Sequence, residues 1–260
     1  ENVYPNGIPT ESSYKFEKLH LNLSMVITPH VFKDDRGEFI EVFNQVQFKQ
    51  LLGIDFMQDC TSVSRKNTLR GLHGGFRTWK LIHCPKGSVM ACIIDLNPGS
   101  STYFQSTQVL INDKNRALLL VPPGFGNSYY VLEEDTVYCY KKTTYFVPGA
   151  EFTLHYTCVP WPKRINPILS KRDLQAPRNL IEFESEMKKR NDERKKNIEK
   201  MRIEKEKEKE RRNETKRLEL EILTEMKKPV EDMALPDSKQ LPDLTRIDKL
   251  KLSGEAFATF

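Results

Sequence analysis

The amino-acid sequence changes character sharply near Pro177, and this change limits what the chain can fold into. Before it, short runs rich in Val, Ile, Phe, Tyr and Thr alternate with turn signals such as Pro122-Pro123-Gly124, at roughly ten-residue spacing. These runs and one helical stretch, Gln45–Leu52, predict a mainly β fold of the sandwich or jelly-roll kind. The runs are Met25–Phe32, Glu38–Phe43, Trp79–Cys84, Ser88–Leu96, Ser106–Ile111, Ala117–Val121, Ser128–Leu132, Thr136–Thr143 and Glu151–Tyr156.

Beyond this point the chain is almost entirely charged or polar. Residues 180–228 contain 17 Lys and Arg and 14 Asp and Glu, with no Pro or Gly. Strong helix formers with opposite charges three and four residues apart predict one long α-helix. Its apolar residues keep no a/d heptad through the middle, so we expect a single solvated helix and not a coiled coil. Pro229 ends it.

These features divide the chain into four parts. Residues 1–24 are expected to form an N-terminal arm or a first edge strand, and residues 25–177 form the β domain. The charged helix of residues 180–228 follows. Residues 229–260 are expected to be a largely disordered tail. Whether the N-terminus is complete stays open, because the chain starts at Glu1.

Charge, hydropathy and cysteine content argue against several functional classes. The net charge of +5 comes largely from the mixed-sign helix, whereas nucleic-acid binding calls for a one-sided basic patch with interleaved aromatic residues. No apolar run reaches transmembrane length, so neither nucleic acid nor membrane is an expected partner. The five cysteines form no CxxC pair. That pattern favours free thiols in a reducing compartment, the cytoplasm.

The run from Arg70 to His73, with Lys80 and Tyr140 downstream, supplies an imidazole, an ammonium and a phenol. These groups suit proton transfer at a carbon beside a ketone: a base, a cation that holds the enolate, and an acid on the opposite face. We expect His73 to lie between two strands, where a strand edge turns it into the barrel. Two glycines follow it, so the second His of a cupin-type metal site is missing and no metal is expected.

A series of ordered motifs between about residue 25 and residue 177 is similar to those of one enzyme family. The motifs are Asp35-Arg36-Gly37-Glu38-Phe39-Ile40-Glu41, Leu69-Arg70-Gly71-Leu72-His73, Lys80-Leu81, Gly87-Ser88-Val89 with Asp95-Leu96, Pro122-Pro123-Gly124-Phe125, Tyr140-Lys141 with Pro148 and Glu151, and Leu169-Ser170-Lys171-Arg172-Asp173. They resemble the nucleotide-sugar 3,5-epimerases typified by dTDP-4-dehydrorhamnose 3,5-epimerase. The resemblance implies a double-stranded β-helix of the cupin type, no metal or cofactor, and a homodimer whose N-terminal strands cross between subunits.

The resemblance also implies a role for each matching residue. His73 matches the catalytic base, and Asp173 matches the acid that orients it. Lys80 matches the cation beside the C4 ketone oxygen, and Tyr140 matches the phenol that reprotonates the carbon from the opposite face. Substrate contacts are expected from Arg36, Glu41, Gln58, Arg70 and Asn127.

The chain departs from the rhamnose-pathway members at several positions. Those members usually carry Tyr-Gln after the catalytic His, a Gln before the Lys, and a His after Gly-Phe. Here Gly74-Gly75, Thr78-Trp79 and Asn127 stand instead, and Cys60 replaces an Asn. This combination is more similar to epimerases that act on GDP-6-deoxy-4-keto-heptoses. Loss of the bulky Tyr-Gln pair is expected to open room for a longer C5 substituent.

The expected activity is therefore epimerisation at C3, C5 or both of a nucleoside-diphosphate 4-keto-6-deoxy hexose or heptose. The nucleotide base, the sugar length and the inverted centre stay open. The alternative is a non-catalytic cupin scaffold whose charged helix and tail bind a partner protein. Deleting residues 184–260 is expected to leave an enzyme active and to cost a scaffold its partner. A ketoisomerase on the same barrel would call for a second His directly after the first.

Overall fold

The computed structural model describes residues 13–161 and 165–226 of the chain. Within them the backbone forms thirteen β-strands and three α-helices. The helices are α1 Gln45–Leu52, α2 Lys171–Leu174 and α3 Leu180–Met226. The strands are β1 Tyr14–Lys18, β2 Met25–Pro29, β3 Val31–Asp34, β4 Gly37–Ile40, β5 Gln58–Ser64, β6 Leu69–Gly74, β7 Lys80–Lys86, β8 Ser88–Asp95, β9 Ser106–Asn112, β10 Leu118–Val121, β11 Phe125–Val131, β12 Thr136–Lys142 and β13 Phe152–Thr153.

The strands assemble into two sheets and one hairpin. The larger sheet has the order β1-β2-β10-β7-β12-β5, the smaller sheet has the order β13-β6-β11-β8-β9, and β3 pairs with β4. The pairings between these strands are antiparallel, and many neighbours in a sheet are distant along the chain. Such an order is typical of jelly rolls. The mainly β fold of the cupin type that the sequence predicts is confirmed.

The main hydrophobic core lies between the two sheets. Ile82 and Tyr138 of the larger sheet pack in one cluster with Ile93 and Tyr129 of the smaller sheet. The Tyr129 and Tyr138 rings stack with their centroids 3.7 Å apart. Burial of each large apolar side chain contributes about 1.5–3 kcal/mol. The two sheets are therefore fixed face to face, which gives the strands that carry the site a rigid support.

Several elements have the bounds that the sequence indicates. α1 spans the predicted range because Asn44 caps its first turn, accepting hydrogen bonds from the backbone N–H groups of Val46 and Gln47. Gly53 ends the helix with a φ of 69°, in the left-handed region that favours glycine. β8, β9, β10 and β12 also match their predicted runs closely.

Two strands, β5 and β6, are absent from the predicted runs, and β6 contains His73. The expectation that His73 lies between strands is therefore wrong. β5 lacks a hydrophobic alternation because its less exposed positions include the small residues Cys60, Ser62 and Ser64; the two serines line a cleft. β6 contains two glycines, which in a sequence usually indicate turns. The predicted run Met25–Phe32 divides into β2 and β3, and the last predicted run keeps only the two residues of β13.

β1 belongs to the part of the predicted N-terminal arm that the structure describes. It lies at the edge of the larger sheet and pairs with β2 of the same chain, from Tyr14 opposite Pro29 to Lys18 opposite Met25. Residues 1–12 lie outside the described residues. An exchange of N-terminal strands between two subunits stays a prediction.

α3 is the long charged helix that the sequence predicts. Asn179 and Glu182 cap its start reciprocally: the Glu182 N–H donates to Asn179 Oδ1 at 2.9 Å, and Asn179 Nδ2 donates to Glu182 Oε1 at 2.6 Å. Exposed ion pairs four residues apart, such as Arg217 with Glu221, support it further along. The end of the predicted helix and the predicted tail, 229–260, lie outside the described residues. Across residues 13–161 and 165–226, no helix has the length and apolar character needed to cross a membrane.

The chain divides into two compact units within α3. The first unit is Glu1–Glu193 and the second is Arg194–Phe260. In the first unit, Phe183 is 2% exposed and packs edge-on against Phe152, with ring centroids 5.6 Å apart. The first turns of α3 therefore share the core of the β domain.

Candidate active site

His73 lies on β6 between two glycines, Gly71 and Gly74, at which neighbouring strands pass too close for a side chain. The neighbouring Gly71 has a φ of 113°, and a Cβ on it would lie 2.4 Å from the Asn127 carbonyl oxygen on β11. A Cβ on Gly74 would lie 2.4 Å from the ring of Phe152. A side chain at residue 74 would therefore meet Phe152 and the backbone of Phe125. A Cβ on Gly75 would meet Thr78, at 3.5 Å. The expectation that the Gly74-Gly75 pair opens room for a longer sugar stays a prediction.

The short helix α2 brings Asp173 against the His73 ring. Asp173 is 2% exposed, and its Oδ1 lies 2.5 Å from His73 Nε2. Ser170 caps the helix, since its Oγ accepts a hydrogen bond from the Asp173 N–H at 3.1 Å. Burial acts to raise the pKa of Asp173, but the hydrogen bonds from His73, Ser170 and the Gly71 N–H outweigh it and lower the pKa. An ionised Asp173 accepts the proton of Nε2, so Nδ1 is the nitrogen left for a substrate proton.

Lys80 begins β7 and is 6% exposed. Its Nζ donates to Asn127 Oδ1 at 2.7 Å and to the His73 carbonyl oxygen at 3.3 Å. Burial lowers the pKa of Lys80 to about 8, although the carboxylate of Glu151 acts to raise it. Lys80 is therefore a cation at neutral pH that carries little surrounding water. Asn127, predicted to contact substrate, holds this ammonium and also lines the same cleft as Lys80, so its contact with substrate stays a prediction.

Glu151 lies next to two buried lysines. Its Oε1 is 3.2 Å from Lys142 Nζ on β12. Burial acts to raise the pKa of Glu151, but Lys80 and Lys142 outweigh burial and lower it. Glu151 is therefore ion-paired with Lys142 and also affected by the charge of Lys80, so one carboxylate offsets the charge of two buried ammonium groups.

Tyr140 lies on β12, directly opposite Cys60 on β5 and Ile82 on β7. Its ring centroid is 5.8 Å from Lys80 Nζ. Burial, followed by the neighbouring Cys60 thiol, raises the pKa of Tyr140 above its ordinary value. The phenol therefore keeps its proton at neutral pH and can donate it.

These side chains line one cleft of about 640 Å³ between the sheets and the α2 segment. Its lining includes six residues that the sequence predicts for the site: His73, Lys80, Tyr140, Asp173, Arg70 and Asn127. Arg70 reaches it from β6, where its Nε donates to Ser64 Oγ at 3.3 Å. Within the described residues, no three His, Cys, Asp or Glu side chains are grouped as metal ligands would be.

Three predicted substrate-binding residues lie outside this cleft. Arg36 is in the β3–β4 turn, with 90% of its side chain exposed and its guanidinium on Asp34. Glu41 accepts a hydrogen bond from Asn44, and Gln58 accepts one from the Phe146 N–H at 2.8 Å. The single chain does not bring them to His73, so their contact with substrate stays a prediction.

Three charged residues of the cleft are absent from the predicted site: Arg65, Glu151 and Arg172. Arg172 Nε donates to Thr153 Oγ1 at 2.8 Å, which ties α2 to β13. Glu151 and Arg172 stand within motifs quoted above, but only the folded chain shows that they face the same cavity as His73.

Similarity to known proteins identifies the class to which this fold and cleft belong. The chain is an isomerase of the nucleotide-sugar epimerase class. Residues 18–179 match the family model of dTDP-4-dehydrorhamnose 3,5-epimerase. The chain belongs to this family.

Relatives and solved structures agree with this assignment. The dTDP-4-dehydrorhamnose 3,5-epimerase of Escherichia coli is 35% identical over 158 residues, which cover 57% of this chain and 85% of that protein. The crystal structure of the Sulfolobus tokodaii enzyme of the same name superposes with a TM-score of 0.61 at 32% identity, covering 64% of this chain and 96% of that one. The Legionella pneumophila enzyme in complex with dTDP-4-keto-L-rhamnose gives the same TM-score and identity, covering 64% and 92%. Closeness to GDP-heptose epimerases stays a prediction.

Replacing Lys80 with Met should stabilise the folded chain at neutral pH. The pKa of Lys80 is lowered from 10.5 to about 8 by burial, which corresponds to a cost on the order of 3 kcal/mol while the group is charged. Between pH of about 8 and 10.5, Lys80 is neutral in the folded chain but still protonated in the unfolded chain. The natural chain therefore gains stability as pH rises through this window, and the advantage of Lys80→Met should shrink. Denaturant unfolding of both chains across the window measures it.

The matched control is Lys86→Met, at the exposed other end of the same strand. It should change the free energy of unfolding by less than about 0.5 kcal/mol at every pH. An advantage of Lys80→Met that stays constant across the window would contradict the assigned titration of Lys80.

Proposed function

We propose that this chain epimerises C3, C5 or both of a nucleoside-diphosphate 4-keto-6-deoxy sugar. The observation that carries the proposal is the cleft in which a His–Asp pair, a buried ammonium and a protonated phenol lie together. Membership in the epimerase family supports the same chemistry. Asn127 and Lys80 are directly hydrogen-bonded, so the cation is held in place before substrate arrives.

In the first step, His73 Nδ1 takes the proton from the carbon beside the C4 ketone. The electron pair of that C–H bond moves into the carbonyl and leaves negative charge on the ketone oxygen. Lys80 stabilises this oxyanion. An ammonium has three N–H donors, and those to Asn127 and to the His73 carbonyl use two of them. The third is left for the substrate oxygen.

In the second step, Tyr140 donates its phenolic proton to the opposite face of the same carbon, and the ketone re-forms. The tyrosinate recovers its proton from solvent, and His73 releases the one it took. The charge of the imidazolium is balanced by Asp173. One base can act at C3 and then at C5, so these residues are compatible with one inversion or two.

The charge of the cleft suits the diphosphate of such a substrate. Arg70 and Arg172 line it, together with Arg65 at the end of β5. A guanidinium binds phosphate oxygens through paired N–H groups. We propose that these side chains hold the diphosphate while the sugar reaches His73. Contacts from Arg36, Glu41 and Gln58 to substrate are also part of this proposal.

The substrate is proposed to be a hexose or a heptose. The relative in complex with dTDP-4-keto-L-rhamnose supports a dTDP-linked hexose. Thr78-Trp79 and Asn127, where rhamnose-pathway members usually differ, support a GDP-linked heptose. A panel of dTDP-, UDP- and GDP-linked 4-keto sugars in D₂O, scored by deuterium incorporation, distinguishes these substrates.

His73→Asn should remove deuterium incorporation from the accepted substrate. Loss of a positioned base slows proton transfer by about 10²–10⁴-fold. Mass spectrometry and NMR of the recovered sugar measure incorporation at C3 and C5. His30→Asn, an exposed residue outside the cleft, serves as the matched control and should exchange like the natural chain. Equal exchange in the natural chain and His73→Asn would refute the proposal.

Tyr140→Phe should separate exchange from inversion. His73 still removes the proton, exchanges it with solvent and returns deuterium to the same face, whereas no phenol is present to protonate the other face. The recovered sugar should therefore carry deuterium with its original configuration. NMR coupling constants report the configuration. Inverted product formed at the natural rate would show that another group is the acid.

We also propose that the outer part of α3 serves a second role. Its apolar side chains are exposed, which is typical of docking surfaces. They are Ile198, Met201, Ile203, Leu218, Leu220, Ile222 and Leu223. A protein partner that binds there, or binds the tail, is the proposed role. The homodimer and the reducing cytoplasmic location predicted above remain parts of this proposal.

A chain that ends after Glu193 should keep its epimerase activity. It retains the first compact unit, including Phe183 and Met187, which pack on the β-domain core. Removal of residues 184–260 is a poorer test of a scaffold role, because it takes Met187 from that core. Turnover and melting temperature should be measured for the chain that ends at Glu193 and for the chain that lacks residues 184–260. The second chain should melt at a lower temperature, because it lacks Met187. Loss of turnover in a folded chain ending at Glu193 would contradict this division.

A further inference from the structure

We infer that Arg190 on α3 is a positioning residue that holds the wall of the active site next to His73 and Lys80. The effect of Arg190 on catalysis rests on the proposed function, whereas its effect on the structure does not. Residue 190 lies beyond the part of the chain that matches the family model, residues 18–179. The contact is thus made by a segment outside the matched region.

Arg190 binds the backbone of the segment that precedes β13. Its Nη2 donates to the carbonyl oxygens of Gly149 and Glu151, the latter at 3.1 Å. Hydrogen bonds with a charged donor are stronger than neutral ones. The guanidinium therefore fixes the main chain of this segment from outside the barrel.

The segment that Arg190 holds runs directly into the strand beside the proposed base. In β13, Phe152 lies opposite Gly74 and Thr153 lies opposite His73. Phe152 is also covered by Phe183 of α3, with ring centroids 5.6 Å apart. β13 has only two residues, so ladder hydrogen bonds alone give it little support. Two contacts from α3 hold it against β6.

The same segment places a charge inside the cleft. The backbone oxygen of Glu151 is bound by Arg190, while its carboxylate lies 3.2 Å from Lys142 Nζ and faces the cleft beside Lys80. Glu151 is thus held at both its main chain and its side chain. Release of the main chain would let the carboxylate move away from the two lysines.

Movement of Glu151 would affect Lys80 as well as its ion-pair partner Lys142. Among the charged and titratable groups that face Lys80, Glu151 and Cys60 raise its pKa, and Lys142 and Arg172 lower it. The Tyr140 phenol, whose ring centroid is 5.8 Å from Nζ, keeps its proton. The direct hydrogen-bond partners of Lys80, Asn127 and the His73 carbonyl, are neutral. If Glu151 moves away, burial and the two remaining cations lower the pKa of Lys80 below about 8. The pH at which Lys80 loses its charge then falls.

The test uses the full chain with Arg190→Ala and, as a matched control, Arg194→Ala one turn further along the same helix, where the arginine is exposed. The titration of Lys80 is followed by NMR of ¹³Cε-labelled lysine, assigned with Lys80→Met. Hydrogen exchange of the amides in residues 149–153 is measured on the same samples. In Arg190→Ala, Lys80 should titrate at lower pH and these amides should exchange faster. Arg194→Ala should behave like the natural chain.

Activity gives a second, independent measurement. With an accepted 4-keto sugar, the alkaline limb of kcat/KM should move to lower pH in Arg190→Ala and partly return in Arg190→Lys, which keeps a charged donor. If no sugar is accepted, the proposed function fails while the NMR titration still decides this inference. Arg190→Gln is prepared in parallel in case the alanine chain does not fold. An unchanged Lys80 titration in folded Arg190→Ala, or in folded Arg190→Gln if the alanine chain does not fold, would overturn the inference.

Discussion

The hydrogen bond between His73 and Asp173 is the contact on which the rest of the cleft depends. It joins residues 100 positions apart, one on a central strand and one on a four-residue helix. On one side, the close packing of Gly71 against β11 positions the strand that carries His73. On the other side, Ser170 caps the helix that carries Asp173. A buried acid so placed fixes which nitrogen of the imidazole faces the substrate. The chain must therefore fold completely before the site exists.

Charge burial is the second constraint on this site. Lys80 and Lys142 are both nearly inaccessible; Glu151 is ion-paired with Lys142 and lines the cleft with Lys80. Ammonium groups in such surroundings cost stability unless they are paired and hydrogen-bonded. The benefit is chemical, because a cation with few waters around it acts more strongly on a developing oxyanion than one in solvent. Under the proposed function, the site thus exchanges stability of the fold for stabilisation of the enolate.

The sequence predicts the scaffold and the reacting groups better than their surroundings. α1 is predictable because Asn44 and Gly53 are local signals of its ends. β5 is not, because its less exposed residues include small ones, two of them serines that line the cleft, and these hide the alternation that marks a strand. Glu151 depends on a fold-level contact that no spacing reveals. Arg36 has the expected motif but lies on an exposed turn of the single chain, so a motif match does not by itself give a position in space.

The close packing around Gly74 has a consequence for any change of residue at this position. A Cβ there would lie 2.1 Å from the Phe125 carbonyl oxygen and 2.4 Å from the Phe152 ring. A smaller residue at position 152 would remove only the second of these contacts, because the first is with the backbone of β11. A transplanted Tyr-Gln pair would therefore require β11 to shift as well, and exchange of side chains alone would not make room for it.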